Sequence, residues 1–307
     1  MTQRIALYKP TSCPLNSCPG AQSCTKSGSI VRHGSFYRSS DAKRVNRYFC
    51  RDCQRSFSSA STSPCFRQKK RHLNHRLKQL LCSQVSLRRS AKILCINPKT
   101  VTRKFLFLAQ QAELRHTRFL NSLRKKSQPL SHLYFDEMET VEKTKCLPLS
   151  LPILVEPRTR KILGIAVASM PAKGPLAKMS VQKYGYRIDE REETAQNLFK
   201  TVSGLFSEKG EILSDRNPKY PKWIRSVFPD VTHRTVKGRR GCVTGQGELK
   251  SGGYDPLFPL NHTCAMLRAN VNRLTRKTWC ITQRPDRLYA HLMLYIDFHN
   301  WKLTQNI

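Results

Sequence analysis

Acidic side chains are scarce in this chain. Its 307 residues carry 20 Asp and Glu against 55 Lys and Arg, a formal net charge of +35. A chain so unbalanced binds polyanions whether or not it reads a sequence, so nucleic acid is the first candidate partner and an anionic membrane surface the second. Long hydrophobic runs are also missing. No apolar stretch approaches the ~20 residues of a membrane-spanning helix, and the opening M-T-Q-R-I-A-L-Y-K-P lacks a signal-peptide core. The twelve cysteines therefore fit a reducing cytosol better than a disulfide framework. No internal repeat is present, which excludes a repeat architecture.

The few acids are unevenly spread. Residues 1–130 hold 27 Lys and Arg against Asp41, Asp52 and Glu113 alone, a net +24, while residues 131–307 hold 28 against 17, a net +11. The front of the chain is thus the stronger electrostatic footprint, and a chain of this length holds two or three domains.

That front segment carries two cysteine pairs, Cys13-x4-Cys18 and Cys50-x2-Cys53. Two turns that each offer two thiolates make a closed tetrahedral zinc site. The second pair lies in F-C-R-D-C-Q-R-S-F, where Phe49 and Phe57 are expected to cover a small core, and strand-like stretches at 30–38 and 43–49 link the pairs. The spacing predicts a zinc ribbon over residues 1–64. Cys24 is a spare that could stand in for Cys13 or Cys18. A site closed by four thiolates has no open position for a substrate, so this zinc is structural.

Residues 58–65, S-S-A-S-T-S-P-C, read as a joint, and residues 65–127 as a helical DNA-binding segment. Leu73, Leu77, Leu80 and Leu81 recur at helical spacing. Ser86 is a plausible N-cap for a helix over 87–94, Cys95 and Ile96 form a tight turn, and Asn97 caps a second helix with Pro98 at its first position. Val85, Ala91, Leu94, Ile96, Val101 and Phe105 are expected in the core, leaving Lys99, Thr100, Thr102, Arg103 and Lys104 outward. This is helix-turn-helix geometry, with the second helix suited to a major groove. A polar helix continues over 111–127, and S-Q-P at 127–129 is a linker.

After Pro129 the pattern changes. Strands are expected at 131–136, 147–155 and 161–168, a helix over 191–206, a strand over 211–214, a helix over 217–228 and a strand over 231–236. A Gly-rich irregular stretch fills 237–259, followed by helices over 260–278 and 286–299. Three strands in an antiparallel meander, with later strands added in parallel, is the element order of a ribonuclease H-like α/β domain with a mixed sheet over 128–307.

Asp136 closes the first strand of that domain and Asp215 the fourth. Those strands are neighbours in such a sheet, so the two carboxylates would converge, as two-metal phosphoryl transfer on magnesium or manganese requires. The third ligand normally comes from the helix after the last strand. Here that helix reads L-N-H-T-C-A-M-L-R-A-N-V-N-R-L-T-R-K, with no acid on it and Leu267, Val271 and Leu274 as its buried stripe. Asn261 is the candidate on geometry, and Glu248 in the Gly-rich stretch is its rival. Glu137 and Glu139 read as surface groups, and Trp223 and Trp279 as core or rim packing. Arg239, Arg240 and Lys250 in the loop, with Arg268, Arg273, Arg276 and Lys277 on the helix, would meet phosphates.

Taken together the chain resembles the bacterial insertion-sequence transposases that carry a zinc ribbon in front. The resemblance covers nearly its full length. It is carried by the Cys-Pro knuckle with F-C-R-D-C-Q-R-S-F, by S-L-R-R-S-A-K-I-L, by Asp136 and Asp215, and by L-R-A-N-V-N-R-L-T-R-K-T. The resemblance implies Mg-dependent cleavage and strand transfer of double-stranded DNA at transposon ends, by an oligomer on DNA in the bacterial nucleoid. Asp136 and Asp215 match the first two members of that family's Asp-Asp-Glu triad, and Asn261 stands where the glutamate is expected, as in some related transposases. The competing reading is a DNA-binding regulator with an inactive catalytic domain. An RNA-processing protein is a third, against which the helix-turn-helix argues because that motif suits duplex DNA.

Overall fold

The computed structural model describes residues 10, 12–15, 18, 29–61, 63–125, 128–237, 255–275 and 278–305. The chain divides into two compact units, Met1–His75 and Arg76–Ile307.

The first unit is built on a three-stranded antiparallel sheet of β1 (Ile30–Arg38), β2 (Lys43–Cys50) and β3 (Arg55–Ser58), in that order. Its core is small and is made by the cysteines themselves. Cys13, Cys18, Cys50, Ile30, Tyr48 and Phe57 are buried together. Strand alternation puts Tyr48 on the same face as Cys50, so Tyr48, and not Phe49, stacks with Phe57 at 5.7 Å between ring centroids. Phe49 faces the other way, toward His33.

A helix α1 (Leu73–Leu81) leads into the second unit, followed by α2 (Leu87–Ile93) and α3 (Pro98–Arg124). The start signals in the sequence act as expected. Ser86 Oγ accepts from Arg89 N at 3.2 Å, and Asn97 Oδ1 accepts from Lys99 N at 2.8 Å with Pro98 at the first turn. Each such cap contributes about 1 kcal/mol. Cys95 between them takes a left-handed φ of 49°. Ala91, Leu94, Ile96, Val101 and Phe105 are buried and Val85 is half-buried. The expected second and third helical segments are one continuous 27-residue helix, because nothing between 98 and 124 breaks the pattern. Lys104 departs from expectation. It is 3% exposed, because it falls on the same stripe as Val101, Phe105 and Leu108.

The larger sheet contains β4 (Leu130–Val141), β5 (Pro148–Val155), β6 (Ile162–Ile165), a short β7 (Ala168–Ser169), β8 (Phe206–Asp215) and β9 (Thr232–Val236), with order β6-β5-β4-β8-β9 and β7 paired to β5. β4, β5 and β6 run antiparallel as a meander, and β8 and β9 add in parallel beside β4. Between β7 and β8 come α4 (Leu176–Tyr184), which the sequence reading missed, and α5 (Arg191–Val202). α6 (Tyr220–Arg225) lies between β8 and β9, and α7 (Phe258–Asn270) and α8 (Pro285–Gln305) follow. Leu133 and Phe135 of β4, Leu154, Leu163 and Ile212 pack with Leu198 and Phe199 of α5 and Tyr220 and Trp223 of α6. Phe135 lies 4.8 Å from both the Phe199 and the Tyr220 rings.

The helix expected over 260–278 stops at Asn270, where Val271 takes an extended φ of −96° and ψ of 104°. Val271 and Leu274 remain buried, but Arg273 lies in a following turn (Asn272–Leu274) rather than on the helix. α3 also joins this unit rather than forming a separate domain over 65–127. Asp297 of α8 accepts from Lys78 Nζ at 2.5 Å and from Arg115 at 2.9 Å through both oxygens, and His291 bonds the Leu81 carbonyl at 2.9 Å. No helix among the described residues is long and apolar enough to cross a membrane.

Candidate functional site

The four cysteines come together. All four sulfurs lie within 4.8 Å of one another. Cys13 and Cys53 sulfurs are 3.8 Å apart, and Cys18 and Cys50 sulfurs 3.7 Å apart. Zinc–thiolate bonds of 2.3 Å in a tetrahedron require sulfurs about 3.8 Å apart, so the donor set fits such an ion. Burial raises the Cys13 thiol. At Cys50 burial acts the same way but is outweighed by the Cys53 and Asp52 backbone N–H groups and the neighbouring thiols, so its pKa falls. Cys24 lies outside the described residues.

The second site lies in the larger sheet. β4 and β8 are paired in parallel up to Phe135 with Ser214. One step further on each strand stand Asp136 and Asp215, neighbours across strands ~4.8 Å apart and on the same face. Alternation sends Phe135 into the α5/α6 core and Asp136 to the opposite face, where its partner on β5 is Ile153. Asp136 Oδ1 accepts from Glu137 N at 2.7 Å and from the Tyr220 hydroxyl at 3.3 Å. Asp215 Oδ1 accepts from Asn217 N at 3.0 Å, a local turn rather than a helix cap, since α6 is capped by Lys219 without a side-chain bond.

Neither aspartate is in an ion pair among the described residues, although Asp189, Asp297, Glu139 and Glu142 each are. Burial pushes the Asp136 carboxyl up to about 6, helped by the charge of Asp215 and opposed by the bonds from Glu137 N and Tyr220. Tyr220 is itself pushed well above the usual phenol range by burial and by the charges of Asp136, Glu137 and Asp215, so it stays a protonated donor. Two converging carboxylates without a cation of their own are a donor set suited to a hard divalent ion.

Around the pair the structure corrects and extends the sequence reading. Glu137 is not a surface group. It accepts from Ser150 Oγ at 2.5 Å, and burial raises its carboxyl while Ser150, Arg191 and Tyr220 oppose the shift. Glu139 is exposed, with Lys173 at 2.8 Å. Tyr220, which no sequence signal marks, reaches Asp136 because Pro221 and Trp223 start a short helix directly after the β8 turn.

Asn261 sits inside the first turn of α7, exposed, with its backbone N–H on Leu257 O at 2.8 Å, so it is not an N-cap. α7 packs against β4 and β5. Cys264, one turn after Asn261, is pushed up to about 12 by burial and by the charge of Asp136, so this helix lies within electrostatic reach of Asp136. Asn261 Nδ2 donates to Asp255 Oδ2 at 2.9 Å, leaving Oδ1 as the amide's acceptor. Asp255 also accepts from Leu257 N at 3.0 Å. Among the described residues, no group of three Cys, His, Asp or Glu other than the four cysteines has ligand atoms within 4.8 Å of one another. The aspartate pair thus has no third acid among them.

Of the expected phosphate-contacting residues, Lys99, Thr102, Arg103 and Arg268 are exposed and Thr100 is half-buried. Thr102 Oγ donates back to Pro98 O at 3.1 Å. Trp223 is buried, while Trp279 is 81% exposed. Glu248, Arg239, Arg240, Lys250, Arg276 and Lys277 lie outside the described residues. No protein-family model matches the chain, and a search of curated proteins returns no match.

Proposed function

We propose that the chain is a DNA transposase with a ribonuclease H-like catalytic domain. It binds transposon ends and carries out metal-dependent strand cleavage and strand transfer. The observation that carries this reading is the juxtaposition of Asp136 and Asp215, free of any ion pair among the described residues, at the ends of the adjacent parallel strands β4 and β8. The strand order, with the meander's first strand in the middle, supports it.

In this mechanism Asp136 and Asp215 hold magnesium or manganese, with the Asn261 amide oxygen as a neutral third donor. When bound, such ions activate water or a 3′-hydroxyl and neutralise charge on the scissile phosphate. Tyr220 keeps the buried Asp136 oriented and favours its ionised form. A site of two carboxylates and an amide carries less negative charge than three acids, so it holds metal weakly until DNA phosphates arrive. The four-cysteine cluster holds structural zinc, and exposed Lys99, Thr102 and Arg103 at the start of α3 make contacts to duplex DNA.

A second reading is favoured by one observation, the amide at position 261: a zinc-dependent DNA-binding regulator with a dead catalytic domain. The deciding experiment is Mg²⁺- or Mn²⁺-dependent nicking of DNA bearing the terminal repeats, with Asp136→Ala as control. Nicking by the wild type and none by the variant supports the transposase. Equal inactivity with intact DNA binding in both supports the regulator.

A further inference from the structure

A second feature of the larger unit has no part in the aspartate site. A cleft of about 990 Å³ opens between the residues that begin α2 and the segment after α7. It lies within the roughly 300–1,000 Å³ range of sites that enclose one small ligand. Arg88, Arg89, Arg273, Phe105, Trp279 and Gln283 are among its walls, and among the described residues no Asp or Glu lines it.

The walls are built rather than incidental. Gln84 N donates to Asn270 O at 2.8 Å, Gln84 Nε2 to Thr275 Oγ1 at 3.1 Å, and Asn272 Nδ2 to Gln84 O at 3.2 Å. These bonds tie the segment between α1 and α2 to the end of α7 and the turn that follows it. Arg273, in that turn, has its guanidinium over the Phe105 ring at 6.0 Å from the centroid.

Arg273 is the unusual group. One of its N–H donors reaches Thr282 Oγ1 at 3.3 Å. The acid whose charge it feels, Asp286, is engaged by Arg284 at 2.8 Å and Arg287 at 3.6 Å. Burial and the nearby Arg287 both hold its pKa below the usual guanidinium value. A bound anion would relieve both. Positive charge and an aromatic face occur in the same cleft, where Trp279 is 81% exposed.

We propose that this cleft holds one unstacked nucleotide of a DNA strand, its phosphate on Arg273, Arg88 and Arg89 and its base stacked on Trp279. Arginine clusters bind phosphate in bidentate fashion, and stacking on an indole accepts any base. The choice of DNA as the source of the nucleotide rests on the reading proposed above. The nine residues of α7 that follow Asn261 separate it from the cleft by about 14 Å along the helix axis. A strand held at the aspartates would reach the cleft about four nucleotides away, at about 3.4 Å per nucleotide.

The test uses the full-length, zinc-loaded protein without magnesium. Trp301, 52% exposed, is first replaced as Trp301→Phe, which leaves the buried Trp223 and exposed Trp279 as reporters. The probes are octathymidylate and a fully paired DNA hairpin, and tryptophan emission is followed. Octathymidylate is expected to quench emission saturably and the hairpin to leave it unchanged. Trp279→Ala removes the quenching and weakens binding about tenfold, the scale of one base–aromatic stack. Arg88→Ala with Arg89→Ala, both exposed and safe for the fold, weakens binding and lowers the salt slope by about 0.7 per lost phosphate contact. Equal quenching by the hairpin, or unchanged octathymidylate affinity in Trp279→Ala, overturns the proposal. The two readings fail separately. Loss of nicking with this quenching intact removes the transposase alone, and nicking without Trp279-dependent quenching removes the cleft alone.

Discussion

The Tyr220 hydroxyl donates to Asp136 Oδ1 at 3.3 Å across the β4–α6 junction. This bond favours the charged form of a carboxyl that burial lifts to about 6. Tyr220→Phe keeps the ring that packs on Phe135 and Trp223 and removes only the donor. The acidic limb of the pH profile for metal-dependent nicking is expected to move up by about half a unit, with about 1 kcal/mol lost from stability. A profile superimposable on the wild type would rule out the role given to Tyr220.

Asp136 also makes a stability statement. Its folded pKa lies above its unfolded value, so the native protein binds this proton more tightly than the unfolded chain. Its ionisation costs stability above about pH 6, and the cost vanishes below about pH 4, where both states are protonated. Asp136→Asn is therefore expected to stabilise the larger unit at pH 7 by on the order of 2 kcal/mol while abolishing cleavage. Thermal melts at pH 7 and pH 4 check it, with the gain present at the first and absent at the second.

Asp297 shows the opposite behaviour. Burial works against its charge, but Arg115 and Lys78 outweigh this and lower its pKa. Its contribution is present above the unfolded carboxylate pKa and is lost as pH falls below about 4. Asp297→Ala leaves two cations facing a vacated site between α3 and α8 and is expected to cost about 3 kcal/mol at pH 7. Chemical denaturation of the two proteins at pH 7 and pH 3 gives the comparison, with the difference shrinking in acid.

Zinc removal is expected to act on the first unit alone. The buried core there consists largely of its ligands, Cys13, Cys18 and Cys50, with Tyr48 and Phe57, and apolar area so small cannot fold it unaided. Cys50→Ser or chelation should lower DNA affinity and erase protection from hydrogen exchange in β1–β3. Protection of β4, β5 and β8 should persist, and its loss would contradict a role for zinc confined to the first unit.

Much of this was legible in the sequence, for local reasons. Ser86 and Asn97 announce their helices because a cap needs only its own backbone neighbours. Asp136 and Asp215 could be placed because apolar β-rich runs lead up to each. What was hidden depends on three-dimensional neighbours. Tyr220 looked like one more aromatic in a helix, and Asp255 carried no signal until Asn261 was seen beside it. Glu137 was misplaced because being on the other face of a strand does not mean facing water. Lys104 was misplaced because a charged residue on an apolar stripe reads as polar in the sequence. The end of α7 at Asn270 is set by how Val271 and Leu274 pack, which periodicity alone extends into a longer helix.

The central claim is that Asp136 and Asp215 form a divalent-cation centre that acts on DNA. Electron paramagnetic resonance titration of Mn²⁺ into the zinc-loaded full chain with terminal-repeat DNA tests it most directly. A tight Mn²⁺ site is expected on the wild-type complex and is expected to disappear in Asp136→Asn and in Asp215→Asn, while DNA affinity stays within about twofold. The same tight Mn²⁺ site in all three proteins, or in none, would contradict it.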